Sequence, residues 1–108
     1  MLISFQDFQK TELKVAKILS IEDIEDKDKL YKIKISLGEE ERQIVAGLKQ
    51  FYLKDELEGK NIVVVANLEP ATIAGIESQA MLLAAKDAEG KYKVVEIDEA
   101  VEPGSKIE

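Results

Sequence analysis

The sequence predicts an all-β fold, and three observations support this prediction. Five or six short segments show the apolar alternation, or the solid apolar run, that is typical of strands. Turn residues separate these segments, with Gly38, Gly90 and the pair Pro103-Gly104 as the clearest signals. The chain of 108 residues suffices for one domain with a modest core, so we take residues 1–108 as a single domain.

The first half of the chain predicts a short helix followed by three strands. Ser4 is expected to cap the helix. The apolar alternation of the first strand slips near Ala16 and Lys17, which predicts a bend at a bulge. The expected bounds are residues 4–9 for the helix, 13–24, 30–37 and 42–46 for the strands, 25–29 for a charged loop and 38–40 for a hairpin turn.

The second half predicts one short helix and three more strands. The helix lies within residues 48–57 and ends before Gly59. The strands are expected at residues 62–68, 81–85 and 92–97, and the first of them is too apolar for an exposed edge. A turn-rich connection around Gly75 joins the first two of these strands.

The position of the second helix, between the third and fourth strands, narrows the fold further. This arrangement is that of the oligonucleotide/oligosaccharide-binding (OB) fold, a partly open five-stranded Greek-key barrel. The alternative is a small barrel of the SH3 type, which usually lacks the interposed helix. We therefore predict an OB barrel with short helices.

The composition restricts the chemistry of the protein. There is no cysteine and no histidine, which excludes disulfides, the usual zinc sites and catalysis by Ser-His-Asp or Cys-His groups. A P-loop and a dinucleotide-binding glycine fingerprint are also missing. Neighbouring carboxylates such as Asp26 and Asp28 are expected by chance among 22 acidic residues. We therefore predict a protein that is not an enzyme and uses no cofactor and no metal.

The net charge of -7 disfavours a polyanionic partner, but the charges are unevenly distributed. Acidic residues are concentrated at residues 39–41 and 96–102. No apolar stretch is long enough to span a membrane and no secretory signal is present, so we expect a soluble, cytoplasmic protein. The first third of the chain holds a basic group that allows a locally positive face: Lys10, Lys14, Lys17, Lys27, Lys29, Lys32 and Lys34.

The most informative segment is residues 61–85, where Asn67, Ser78 and Gln79 lie between two apolar runs. Connections between strands are where a rigid sheet presents polar groups to a ligand. The spelling NLEP followed by GIESQAMLLAA resembles the tRNA-binding domain of methionyl-tRNA synthetases and of stand-alone dimeric tRNA-binding proteins. Three upstream segments resemble the same family in the same order: ELKVAKI from Glu12, DKLY from Asp28 and RQIVAGL from Arg42.

The resemblance implies a non-catalytic module that binds tRNA by its structure rather than its base sequence. It also implies a homodimer that serves the catalytic core of a methionyl-tRNA synthetase, as an appended C-terminal domain or as a separate subunit. Ile3, Phe5 and Phe8, together with the region after Lys86, are then expected to build the dimer interface. The alternative is a structural dimerisation or docking module with little tRNA binding of its own.

Seven residues are candidates for tRNA contacts, and each also has a structural interpretation. Asn67 and Ser78 match residues that face the tRNA in the family, but either could instead stabilise a turn. Met81 belongs to the same motif and could instead pack in the core. The basic candidates for phosphate contacts are Lys29, Lys14, Lys17 and Arg42; Lys29 could simply be solvated, and Arg42 could pair with nearby glutamates.

The chain departs from the family pattern at three places. Ala74 replaces the basic residue that often precedes Gly75, and Ala80 replaces a glycine. The residues before the DKLY segment lack the usual histidine and proline. These changes predict weaker phosphate contact. Few aromatic residues are present, and Tyr31 is the one expected to be available for stacking on a base.

Overall fold

The computed structural model describes all 108 residues and contains ten strands and two short helices. The helices are α1 (Phe5–Gln9) and α2 (Lys54–Leu57). The strands are β1 (Leu13–Ile24), β2 (Lys27–Ser36), β3 (Glu41–Ala46), β4 (Asn61–Val65), β5 (Ala71–Ile73), β6 (Ile76–Ser78), β7 (Met81–Leu82), β8 (Ala84–Lys86), β9 (Tyr92–Val94) and β10 (Lys106–Ile107).

The main sheet has the antiparallel order β3-β2-β1-β4-β7, with β10 also paired to β1. The long strand β1 belongs to both halves of this sheet, because its first residues pair with β4 and its later residues pair with β2. Lys17 is the residue where the partners change, opposite both Asn61 and Ser36. The predicted bend in β1 is confirmed, although the register shift lies between Ile18 and Ser20 rather than at Ala16 and Lys17.

The slip in alternation that suggested a bulge has a different physical cause. Ala16 and its partner Ile62 both face the barrel core. Val15 and its partner Val63 are also buried, but on the opposite face of the sheet. The segment near the C-terminus crosses β1 at this point, where the Val15 N–H donates to the Ser105 carbonyl. Val15 and Ala16 point to opposite faces of the sheet, and both are therefore buried.

The core of the barrel is built from aliphatic residues of the central strands, as their alternation predicts. Leu57 of α2 is fully buried and covers the barrel between β3 and β4, which confirms the interposed helix. This helix distinguishes the structure from an SH3-type barrel. The core cluster consists of Ala16, Ile18, Tyr31, Ile33, Ile35, Leu37, Ile44, Leu48, Leu57, Ile62, Val64, Ala80 and Val94.

Several predicted bounds are wrong for local reasons. The loop expected at residues 25–29 is only a tight turn, because Asp26 adopts a positive φ of 62° and β2 already begins at Lys27. The strand expected at residues 62–68 ends at Val65, where the chain turns toward the N-terminal segment. The strand expected at residues 81–85 is interrupted at Leu83, and β9 ends at Val94.

The connection around Gly75 is a β-hairpin rather than a series of turns. Strands β5 and β6 pair from Ala71 with Ser78 to Ile73 with Ile76. Ala74 and Gly75 form the turn with φ values of 53° and 78°. Two consecutive positive φ angles are typical of the tight hairpin turn that matches the twist of its strands. The signal for this hairpin in the sequence is a two-residue turn with a β-branched residue on each side, Ile73 and Ile76.

The chain closes with a segment that crosses the hairpin turn between β2 and β3. The Gly104 N–H donates to the Val15 carbonyl at 2.7 Å, and Gly104 has a φ of 89°. A Cβ atom at Gly104 would overlap the Leu37 carbonyl, so only glycine fits this crossing. The predicted cap of α1 is also confirmed, since Ser4 Oγ accepts from the Asp7 N–H. No helix in the structure is long and apolar enough to cross a membrane.

Candidate nucleic-acid interface

Three of the predicted basic residues have no carboxylate partner. The ion pairs of the structure leave Lys14, Lys17 and Lys29 unpaired. Lys17 and Lys29 are exposed on β1 and β2, whereas Lys14 is half-buried beside the C-terminal crossing. Unpaired, exposed lysines can contact an external anion without first giving up an internal partner.

The three lysines are spread along the strands rather than gathered at one point. Lys17 lies opposite Ser36, and Lys29 lies seven residues earlier on β2. At about 3.3 Å per strand residue, this separates the two positions by about 23 Å. Such a spacing suits contacts to successive groups along an extended anionic backbone.

The outer face of the sheet beside Lys17 carries a polar surface that the predicted site omitted. One depression on this face is lined by five polar residues: Ser20, Glu22, Lys32, Lys34 and Gln43. Lys34 Nζ is 3.5 Å from Glu41, and Lys32 Nζ is 3.8 Å from Glu22. Exposed pairs of this kind contribute little to stability. The alternation of apolar and lysine residues along β2 is the sequence pattern that predicts this polar face.

Arg42 is occupied by contacts within the protein. Its Nη1 donates to the carbonyls of Ala66 and Gln79, the latter at 3.1 Å. Its Nε and Nη2 donate to Glu40 Oε1 at 3.1 and 2.7 Å. Pairing with a nearby glutamate, one of the two interpretations of Arg42, is therefore present in the structure. The guanidinium joins β3 to the connection that follows β4.

Asn67 connects the end of β4 with the N-terminal segment. Its Oδ1 accepts from the Glu12 N–H at 2.8 Å, and its Nδ2 donates to the Lys10 carbonyl at 2.6 Å. The adjacent Ala66 N–H donates to the Glu12 carbonyl. The structural interpretation of Asn67 thus has direct support, although its amide holds the N-terminal segment rather than the loop at Pro70.

Ser78 is buried at the base of the β5–β6 hairpin. Its Oγ accepts from the Val45 N–H at 3.1 Å and donates to the Ala80 carbonyl at 3.2 Å. Only 6% of the residue is exposed. Asn67 and Ser78 therefore share no hydrogen-bonding partner, and their side chains reach different parts of the barrel.

Met81 lies at the surface, and the structure does not place it in the core. It is 54% exposed at the edge of an apolar cavity of about 350 Å³. The other walls of this cavity come from the end of β3 and from the strands that follow Met81: Val45, Ala46, Gly47, Leu48, Leu82, Ala84 and Tyr92.

The expectation that Tyr31 is available for base stacking is wrong. Tyr31 is 4% exposed, and its hydroxyl donates to the Tyr52 carbonyl at 2.8 Å. The alternation of β2 turns Tyr31 inward with Ile33 and Ile35. Phe51 and Tyr52 are half-buried, with Phe51 edge-on to Tyr92 at 5.6 Å between ring centroids.

The barrel and its lysine-bearing face, the outer face that holds Lys17, Lys32 and Lys34, define an OB-type binding domain. Residues 13–106 match the family model described as a putative tRNA binding domain, and the chain belongs to this tRNA-binding domain family. The family is an accessory, non-catalytic module, in agreement with the sequence prediction.

Curated and solved relatives show the same likeness. The chain is 50% identical over 105 residues to the methionine–tRNA ligase of Caldanaerobacter subterraneus subsp. tengcongensis, covering 97% of this chain and 16% of that protein. A MetRS related protein from Pyrococcus horikoshii has a TM-score of 0.94 at 36% identity, covering 99% of this chain and 98% of that one. The CsaA chaperone protein from Picrophilus torridus gives 0.90 at 34% identity, covering 99% and 100%.

Proposed function

We propose that this chain binds the folded body of tRNA without catalysis, as a homodimer, on behalf of a methionyl-tRNA synthetase in the cytoplasm. The observation that carries the proposal is the family match over residues 13–106. In this proposal Lys14, Lys17 and Lys29 contact phosphates. Met81 makes an apolar contact with the RNA. The other residues of the predicted site shape the surface: Asn67, Ser78 and Arg42.

The distribution of lysines supports contact with a sugar–phosphate backbone. Lys17 is unpaired on the outer face that also holds Lys32 and Lys34, and Lys29 is unpaired near the start of β2. Counterions released from phosphates then drive binding, even though the whole chain is acidic. Lysine contacts to phosphates also predict that binding weakens steeply with added salt.

The same face supports recognition by shape. Proteins that read single-stranded RNA commonly stack bases on exposed aromatic rings. The lysine-bearing face offers none, because Tyr31 is buried and the exposed rings of Phe5, Phe8 and Tyr92 belong to α1 and β9. Contacts to backbone groups depend on the fold of the RNA and little on its bases.

The role beside a synthetase follows from the relatives. Several methionine–tRNA ligases carry a segment 46% to 50% identical to this chain, which makes up 16% of the ligase from Caldanaerobacter subterraneus subsp. tengcongensis. A weak second site on tRNA raises the effective concentration of tRNA at the catalytic core. A modest affinity therefore suffices for this function.

The homodimer rests on an apolar N-terminal segment that nothing in the chain covers. Leu2, Ile3 and Phe5 are 98%, 65% and 71% exposed. Exposed apolar residues grouped in this way mark an interaction surface. The same observation favours the second candidate function, a dimerisation or docking module with little tRNA binding of its own.

Replacing single lysines tests the proposed interface. Lys29→Ala should weaken the binding of different tRNAs by similar factors, because a phosphate contact carries no base information. The slope of log K against log salt should fall by about 0.7 to 0.9, the contribution of one phosphate. Lys91→Ala is the matched control, since Lys91 is an exposed lysine paired with Glu89 in a distant turn. Unchanged affinity for Lys29→Ala at low salt would remove Lys29 from the interface.

A further inference from the structure

Hydrogen bonds attach the β5–β6 hairpin to the barrel only at its base. A single backbone hydrogen bond joins it to β3, from the Gln79 N–H to the Gln43 carbonyl at 2.9 Å. No hydrogen bond joins residues 71–76 to any other part of the chain. An isolated two-stranded hairpin is marginally stable in water. The contacts at the base therefore decide how firmly this hairpin is held.

Side chains replace the missing backbone pairing at this base. Gln79 Oε1 accepts from the Gln43 N–H at 3.0 Å, and Gln43 Nε2 donates to the Glu77 carbonyl at 3.0 Å. Ser78 Oγ accepts from the Val45 N–H, two residues further along β3. Gln79 Nε2 also donates to Glu77 Oε1 at 3.0 Å. The side-chain amide of each glutamine thus makes a hydrogen bond to a backbone group, as a neighbouring strand does in a sheet.

The tip of the hairpin is small, exposed and strained. Ala74 and Gly75 form an exposed turn, and the φ of 53° at Ala74 is uncommon for a residue with a Cβ. The hairpin follows β4 and lies beside the start of β3, next to the polar outer face that Gln43 shares with Lys34. A small tip at this position permits close approach of a nucleic-acid backbone.

We infer that Gln43 and Gln79 are positioning residues, which hold the β5–β6 hairpin at a fixed angle so that its tip contacts the tRNA backbone. This inference rests on the proposed function. A hairpin that is already ordered loses little conformational entropy on binding, so affinity depends on the hydrogen bonds at its base as well as on the groups that touch the RNA. Ser78, buried at the same base, then acts through the hairpin and not as a ligand.

Alanine substitutions at the base test the first part of the inference. In Gln43→Ala/Gln79→Ala we expect hydrogen exchange of the amides of residues 72–77 to accelerate about ten-fold, because the hairpin opens locally. The thermal midpoint should change little, since the core cluster is untouched. Gln50→Ala is the matched control, because Gln50 is an exposed glutamine in the turn after β3. Unchanged exchange of the hairpin amides in the double variant would contradict a positioning role.

Coupling between base and tip tests the second part. In the wild-type background, Ala74→Arg should strengthen tRNA binding, because it adds a cation at the tip. In the Gln43→Ala/Gln79→Ala background, tRNA binding should weaken about five-fold and most of the gain from Ala74→Arg should disappear. An equal gain in both backgrounds would contradict the inference. Absence of tRNA binding by the wild-type chain would instead contradict the proposed function, which the hydrogen exchange result does not depend on.

Discussion

At the scale of single residues, Asn67 shows how a polar residue in a family motif can stabilise the fold. Both ends of its amide bond backbone groups more than fifty positions earlier, at Lys10 and Glu12. The sequence predicted that Asn67 ends a strand and is functionally important. Its partners could not be predicted, because contacts so distant in sequence depend on the closed barrel.

Asn67→Ala should lower the free energy of unfolding by about 1 kcal/mol, because it removes two hydrogen bonds that join the N-terminal segment to the end of β4. Gln50→Ala is the matched control, because Gln50 is an exposed amide side chain in the turn after β3. Chemical denaturation measures both. An unchanged free energy of unfolding together with weakened tRNA binding would assign the amide to recognition.

At the scale of elements, ion pairs as well as the buried Leu57 hold the segment containing α2 against the barrel. Asp23 on β1 lies 3.0 Å from Lys49, which precedes α2, and 3.1 Å from Lys54, the first residue of α2. Hydrogen bonds from Lys49 and then Lys54 lower the pKa of Asp23. Because its carboxylate is partly exposed, the pair of contacts is a modest addition to the buried leucine.

Asp23→Asn should reduce stability at neutral pH and make no difference in strong acid. A carboxyl whose pKa is lowered on folding stabilises the protein above its unfolded pKa, and this contribution is lost as the pH falls through the folded pKa. The thermal midpoints of wild type and variant should therefore converge below about pH 4. Asp55→Asn, at an exposed position of α2 without an ion pair, is the control. A difference that persists at pH 2 would contradict this explanation.

Elements were predicted well where local pattern decides them and poorly where distant contacts do. The clean alternation of β2, the solid run of β4 and the cap of α1 all gave correct elements. The split at Leu83 was not predictable. The Leu83 N–H donates to the Val63 carbonyl on β4, while the Leu83 carbonyl accepts from the Val95 N–H. The site was predicted by motif, but the hydrogen bonds that occupy Ser78 and Arg42 appear only in the folded barrel.

At the scale of the whole molecule, the surface includes an acidic depression, lysine-bearing strands and an apolar N-terminal segment. Glu39, Glu40 and Glu102 line the depression with Lys14, at the hairpin turn between β2 and β3 and the C-terminal crossing. Lys17 and Lys29 are exposed on β1 and β2. Five of the ten exposed large hydrophobic residues lie at the N-terminus: Met1, Leu2, Ile3, Phe5 and Phe8. One acidic chain can thus carry both a surface for a polyanion and a surface for a second copy.

Deleting residues 1–8 should convert a dimer into a monomer in light scattering, because it removes the exposed apolar side chains of the N-terminal segment. We also expect tRNA binding to weaken, since a two-fold dimer presents a composite surface that one barrel lacks. Gln6→Ala, on the same helix, is the control and should remain a dimer. A wild-type chain that is monomeric at high micromolar concentration would contradict the dimer.

The central claim, that this chain recognises folded tRNA, is tested most directly by a mobility-shift titration with two competitors. One competitor is unlabelled tRNA and the other is an unstructured RNA of equal length. We predict that several different tRNAs bind with similar affinity, that added salt weakens each of them, and that the unstructured RNA competes poorly. No shift of tRNA at low salt and excess protein, or equal competition by the unstructured RNA, would contradict the claim.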